Sequence, residues 1–186
     1  MSKIRILIAD DHAIVREGTR RFLEQEETLD VIGEAADGEE AVRMTVSMKP
    51  DVVIMDIAMP GLNGLEALIQ LKTLNPGLKV IILSMYLEKS YVSRALRNGA
   101  AGYVYKGSAF EDLVLAIRAV GRKELFLSPA VSQILVDDLL QGQVADDPFQ
   151  QIFDQLTSRE REVIQLIGEG YSRSAIAATL TISAKT

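Results

Sequence analysis

Through the first 121 residues the apolar positions follow two alternating rhythms. Short continuous runs (Ile4–Ala9, Val31–Gly33, Val52–Met55, Val80–Leu83 and Gly102–Tyr105) are separated by stretches whose apolar residues recur every three or four positions. Ile14, Val15, Gly18, Phe22 and Leu23 share one such face, and Phe110, Leu113, Val114, Ile117 and Val120 another, the spacing of an amphipathic helix. Asp37-Gly38, Pro60-Gly61, Asn75-Pro76-Gly77 and Asn98-Gly99 break the pattern between elements. The runs are apolar almost throughout, as in strands covered by helices on both faces. Their alternation with helical segments predicts an α/β domain on a parallel five-stranded sheet over residues 1–121.

Beyond residue 121 the strand signal fades. Ser128-Pro129 reads as an N-cap with proline at the first helical position, opening a helix over about 129–141 with Val131, Ile134, Leu135 and Leu139. The segment 122–152 is then a linker containing that helix, closed by a polar stretch with Asp146-Asp147-Pro148. A third unit, 153–186, starts with Thr157 and Glu160 at capping-box spacing and an apolar face of Val163, Ile164 and Ile167. Gly168 and Gly170 stop this helix, Ser172 opens another with Ile176, Ala177 and Leu180, and Ser183 marks a third start. Two short helices around a glycine-containing turn predict a helix-turn-helix.

Four of the five strand-like runs lead into a reactive side chain: Asp10 and Asp11, Asp56, Ser84 and Lys106. The carboxyl ends of the strands in an open parallel sheet share one edge, where ligands bind. Three carboxylates, a hydroxyl and an ammonium would meet there. Clustered carboxylates repel one another, and a divalent cation relieves that conflict. Oxygen ligands with room left for water and phosphate suit Mg²⁺. Phosphoryl transfer asks a protein mainly for positioning and charge neutralisation. Lys106 and Ser84 could each hold a phosphoryl oxygen, leaving Asp56 as the nucleophile. His12, beside Asp11, is read as a partly exposed first-turn residue, and the methionines as core or loop filler.

Composition narrows the picture little further. The chain has 186 residues, 48% of them apolar, and no cysteine, so disulfides and thiolate metal sites do not arise. No apolar run is long enough to span a bilayer, and a cytoplasmic setting is expected. The net charge of −6 argues against nucleic-acid binding through the chain as a whole.

The combination of Ala9-Asp10-Asp11, Met55-Asp56-Ile57-Ala58-Met59-Pro60-Gly61, Leu83-Ser84 and Gly102-Tyr103-Val104-Tyr105-Lys106 resembles a response regulator receiver domain. The stretch Leu156-Thr157-Ser158-Arg159-Glu160-Arg161-Glu162-Val163, with Gly168-Glu169-Gly170-Tyr171-Ser172, Ile176-Ala177 and Ile182-Ser183, is similar to the first half of a LuxR-type helix-turn-helix. Together they resemble the NarL/FixJ group of two-component regulators, with a flavodoxin-like (βα)5 receiver. The resemblance implies that Asp56 accepts a phosphoryl group from a sensor histidine kinase. It implies that Asp11, Asp56 and the backbone carbonyl of Ala58 bind Mg²⁺, with Asp10 helping through water, and that Ser84 and Tyr103 form a switch pair. It also implies a homodimer on phosphorylation and transcriptional output through DNA, with no catalysis beyond the receiver's own phosphoryl transfer and dephosphorylation. Met85 is bulkier than the residue many receivers carry there, and Tyr86 and Ala58 flank the line along which water would attack.

Two other function classes fit less well. A Mg²⁺-dependent phosphatase would need a general acid near Asp56, and Ile57-Ala58 supplies none. An adaptor acting through contacts alone would have no use for three clustered acids. Within 153–186, Arg159, Arg161, Arg173 and Lys185 balance Asp154, Glu160, Glu162 and Glu169, and the basic base-reading helix of the resembled domain has no counterpart in the sequence. The 186-residue chain is therefore expected not to bind DNA sequence-specifically, though a full-length parent would. A sequence-selective, salt-sensitive mobility shift with this polypeptide would overturn that expectation.

Overall fold

The computed structural model describes residues 3–108, 110–140, 176 and 180. Strands and helices alternate: β1 (Ile4–Ala9), α1 (Ala13–Leu23), β2 (Leu29–Ala35), α2 (Gly38–Met48), β3 (Val52–Met55), α3 (Gly64–Leu74), β4 (Lys79–Ser84), α4 (Lys89–Arg97), β5 (Gly102–Tyr105), α5 (Phe110–Gly121), β6 (Phe126–Leu127) and α6 (Pro129–Leu140). All strand pairings are parallel, in the order β2-β1-β3-β4-β5-β6. Strand order reverses at β1, between β2 and β3, which opens the crevice where doubly wound sheets bind ligands. By compactness the chain divides into two units, Met1–Val144 and Ala145–Thr186.

Side-chain alternation splits the core into two layers. Leu7, Ala9, Val53, Met55, Val80 and Ile82 face one way, packing with α2, α3 and α4. Ile6, Ile8, Val52, Ile54 and Ile81 face the other, against Leu113, Ala116, Ile117 and Val120 of α5 and Leu23 of α1. Local signals support each helix start. Asp37 caps α2 by accepting from the Glu40 N–H, and Asn63 and Glu66 form a reciprocal capping box on α3.

Three expectations need correction. The sheet has six strands rather than five, because Phe126 and Leu127 pair with Gly102 and Tyr103. Two residues carry too little periodicity to announce a strand, and pairing to an already formed edge defines this one. Second, only the C-terminal part of the apolar face of α1, Phe22 and Leu23, packs into the core. Thr19 and Leu23 are buried, whereas Ile14 is 87% exposed and Val15 is 37% exposed. Phe22 stacks on Phe110 of α5 at 4.9 Å, and N-terminal to that contact α1 and α5 border a cavity of about 370 Å³ instead of closing on it. Third, β2 begins at Leu29 and contains a register irregularity, taken up below.

The helix expected after Ser128 is α6, and it packs on the domain. Val131 is fully buried within the α2–α4 layer, with Leu127 and Leu135 against the same cluster. Ser128, also fully buried, donates its N–H to the Tyr103 carbonyl at 3.0 Å and accepts the Tyr105 N–H on its hydroxyl at 3.2 Å. The helix-turn-helix expected over 153–186 lies outside the described residues, apart from buried Ile176 and Leu180, joined by a Leu180 N–H to Ile176 carbonyl bond of 2.9 Å. No helix among the described residues is long and apolar enough to cross a membrane. Because Val131 sits in the core, Val131→Ala is expected to cost about 2 kcal/mol in urea unfolding; unchanged stability would place α6 outside the cooperative unit.

Candidate functional site

The hydrogen-bond ladder that builds the sheet also carries the reactive residues to one edge. Ala9 pairs with Met55, Met55 with Ile82, and Ser84 with Tyr105. One residue further, Asp10 N–H donates to Ala35, Asp56 N–H to Ala9 at 2.8 Å, and Lys106 N–H to Ser84 at 2.9 Å. Each side chain therefore starts from a backbone that the ladder fixes. Gly64, at the start of α3, holds the same corner. A Cβ there would strike the Asp56 carbonyl oxygen, so only glycine lets α3 approach so closely.

Lys106 is the centre of the site. Its Nζ lies 2.6 Å from Asp56 Oδ2 and 2.8 Å from Asp10 Oδ2, with both carboxylates buried. The remaining oxygens also have partners: Asp10 Oδ1 accepts the His12 N–H at 2.8 Å, and Asp56 Oδ1 the Ile57 N–H at 2.7 Å. Asp11 stands nearer the mouth, its carboxylate 2.7 Å from His12 Nδ1. His12 is the exposed residue expected at the helix start, yet its ring reaches back to Asp11. One potential ligand atom each from Asp10, Asp11, His12 and Asp56 falls within a 4.8 Å group. Ala58 is half-buried two residues beyond Asp56 in the loop that follows β3.

Electrostatics reflect the crowding. Burial pushes the Asp56 carboxyl up to about 6, with Asp10 adding repulsion and Lys106 and the Ile57 N–H opposing it. Asp11 is raised by burial and by Asp10, against the pull of His12. Burial alone would lower the Lys106 ammonium, but Asp56 and Asp10 outweigh it and hold it above its ordinary value. One ammonium thus contacts two of the three acids, Asp10 and Asp56, while Asp11 leans on His12. An oxygen-rich pocket with surplus negative charge fits a hard divalent cation such as Mg²⁺, with Asp10, Asp11 and Asp56 as the available carboxylates.

Ser84 and Tyr103 lie on neighbouring strands behind this edge. Ser84 is fully buried and its Oγ accepts the Tyr86 N–H at 3.2 Å. The Tyr103 ring is fully buried, and its hydroxyl donates to the Tyr86 carbonyl at 2.6 Å. Burial raises the phenol well above its usual range, so it stays protonated. Tyr86 itself stacks on Tyr91 of α4 at 4.6 Å. The structure thus brings Asp10, Asp11, Asp56 and Lys106 into one cluster and links Ser84 and Tyr103 through the Tyr86 backbone. Sequence reasoning missed Gly64 and Arg16, whose Nη1 donates to the Asp10 carbonyl at 2.6 Å. The Asn63 cap could have pointed to Gly64; Arg16 carries no local signal.

A buried acid with a raised pKa makes stability depend on pH. The native chain keeps a proton on Asp56 that the unfolded chain releases near 3.8, so stability falls as pH rises from there to about 6. Asp56→Asn removes this penalty. It is expected to stabilise the EDTA-treated protein by roughly 3 kcal/mol at neutral pH and to change little at the acid end. Urea midpoints at both ends of the window test this; a variant less stable throughout would mean that the Lys106 ion pair outweighs the cost of burial.

A model of the response regulator receiver domain matches residues 6–118, and one for bacterial regulatory proteins of the luxR family matches 154–186. The oxygen regulatory protein NreC of Staphylococcus haemolyticus is 40% identical over 185 residues, covering 98% of this chain and 85% of that protein. A LuxR-family two-component response regulator from Aurantimonas sp. superposes with a TM-score of 0.73 at 36% identity, over 75% of this chain and 99% of that one. The Salmonella typhimurium RcsB response regulator, solved in a study of DNA interaction, gives 0.71 at 31% identity over 100% of this chain and 86% of that one. RcsB has also been solved as two dimers bound to two parallel DNAs. With its acidic strand edge, its matched lysine and these likenesses over nearly its whole length, the chain belongs to the two-component response regulators that join a receiver domain to a LuxR-type DNA-binding domain.

Proposed function

We propose that Asp56 is the phosphoacceptor of this chain and that its phosphorylation by a sensor histidine kinase switches the LuxR-type unit to control transcription. The observation that carries this reading is the Lys106 ammonium held 2.6 Å from Asp56 and 2.8 Å from Asp10 at the open strand edge. A carboxylate oxygen of Asp56 attacks phosphorus, the P–N bond to the kinase imidazole breaks, and the imidazole nitrogen takes the electron pair. Mg²⁺, held by Asp11, Asp56 and the Ala58 carbonyl with Asp10 helping through water, would neutralise phosphoryl oxygens when bound. Lys106 is already placed to follow the charge from the carboxylate to the phosphoryl group. Ser84 would leave the Tyr86 N–H to hydrogen-bond a phosphoryl oxygen, and Tyr103 would answer through its own bond to the same residue.

In this reading 1–121 is the receiver, 122–152 the relay and 153–186 belongs to the LuxR-type DNA-binding unit. The relay is supported by Ser128, which holds the start of α6 to both Tyr103 and Tyr105 of the switch strand. Phosphorylation would favour a homodimer that engages DNA, in the cytoplasm, and the only chemistry catalysed is the receiver's own phosphoryl gain and loss. Intact mass after incubation with acetyl phosphate is the test. A gain of one phosphoryl group that requires Mg²⁺ and is lost in Asp56→Ala is expected; an equal gain in Asp56→Ala would refute the assignment.

A further inference from the structure

Glu34 is an acid within an otherwise largely apolar strand, and the chain takes trouble to aim it. Along β1 and β2, Ile6 pairs with Val31 but Leu7 pairs with Gly33, which leaves Ile32 as an extra residue. A one-residue slip sends every later side chain of the bulged strand to the opposite face. Leu29 and Val31 therefore pack in the α1/α5 layer, whereas a Cβ on Gly33 would meet Met44 and Met48 of α2, and Ala35 joins the α2–α4 layer. Glu34, paired with Ile8, is turned towards α1. There its Oε1 lies 2.7 Å from Arg20 Nη1 and its Oε2 lies 3.4 Å from Arg16 Nε. Without the bulge, residue 34 would face α2 and neither arginine could reach it.

Arg16 connects this acid to the functional edge. Its Nη1 donates to the backbone carbonyl of Asp10 at 2.6 Å, the peptide that joins the two acids Asp10 and Asp11. The side chain is only 17% exposed, and its Nε is buried without a hydrogen bond. A half-paired buried guanidinium is a poor stabilising device, since an unmet buried donor costs more than an ordinary ion pair returns. Its geometry suits positioning better: one arm on the Asp10 carbonyl, the other steered by Glu34, which Arg20 orients in turn.

We propose that Arg16 is a positioning residue for the divalent cation, fixing the Asp10–Asp11 peptide so that both carboxylates converge, and that the β2 bulge exists to supply Glu34 as its guide. This rests on the Mg²⁺-assisted phosphoacceptor reading. Arg16 touches neither the cation nor the phosphoryl group. Its removal should therefore weaken Mg²⁺ binding while leaving phosphorylation at saturating Mg²⁺ largely recovered.

The experiment is calorimetric Mg²⁺ titration of the full chain and of Arg16→Ala, Arg16→Lys and Glu34→Gln, with acetyl phosphate labelling in parallel. Loss of a group that orients ligands usually weakens metal binding at least tenfold, so roughly a 10-fold loss is expected for Arg16→Ala. Arg16→Lys should lose nearly as much, because an ammonium keeps the charge but cannot span both the carbonyl and Glu34. Glu34→Gln should shift affinity in the same direction by less. Arg16→Ala with the parent affinity would overturn the proposal, whatever its melting temperature, and so would full rescue by lysine. If Arg16→Ala does not fold, Glu34→Gln decides, and unchanged affinity there overturns it equally. A parent chain that binds Mg²⁺ and gains phosphate while the variants bind alike would remove this inference alone. A parent that binds no Mg²⁺ would remove the phosphoacceptor reading together with it.

Discussion

The Lys106 ammonium, held between the buried carboxylates of Asp10 and Asp56, is the contact on which the rest of the structure depends. Two buried acids at the ends of adjacent strands would drive those strands apart or take up protons. A cation from β5 lets β1 and β3 end on acids side by side, and the ladder bonds at Asp10, Asp56 and Lys106 carry the sheet up to the point of charge. The balance is incomplete, as the raised Asp56 shows. A pocket that kept its acids fully neutralised would be more stable but less ready to take a cation. Strain of this kind is what functional edges tend to hold at the expense of stability.

The second dependence runs along the sheet. Ser84 and Lys106 close the edge from β4 and β5, and Tyr103 sits in β5 three residues before Lys106. On its far side β5 pairs with β6, and Ser128 follows directly, bonded to both Tyr103 and Tyr105. Any rearrangement of β5 therefore meets the start of α6 within one strand width. The family model ends at residue 118, yet the same compact unit runs on to Val144, so α6 is built on the receiver sheet and not merely tethered to it.

How much of this the sequence disclosed depended on the range of the interaction involved. The strands were legible because burial on both faces demands continuous apolar runs, and Asp10, Asp11, Asp56, Ser84 and Lys106 were legible because each follows such a run. Their convergence needed only the parallel topology. Features set by long-range pairing were hidden. Strand β6 exists because β5 offers an edge, and the β2 bulge because α1 and α2 ask for opposite side chains on a single strand. The α1 error has the same origin: Ile14 and Val15 satisfy a helical period perfectly well, but α5 does not close over them. Arg16 and Gly64 act through backbone atoms of distant residues, the least visible kind of contact in a sequence.

Charge accounting then constrains how such a site could signal. A phosphoryl group on Asp56 would bring close to two negative charges into a pocket whose one ammonium already serves two buried acids. A divalent cation could offset most of that, but the carboxylates available to it, Asp10, Asp11 and Asp56, follow β1 and β3. Residual charge on the other side must be met from β4 and β5, where Ser84 is the fully buried hydroxyl beside Lys106. Ser84 currently accepts from the Tyr86 N–H, so turning towards a phosphoryl oxygen would release a backbone donor that Tyr103 also holds through the Tyr86 carbonyl. That exchange would change the hydrogen bonding of the loop after β4, at Tyr86. In such an arrangement a signal would run away from the acids, towards the β4–β5 side where Ser84 and the Tyr86 backbone meet Tyr103.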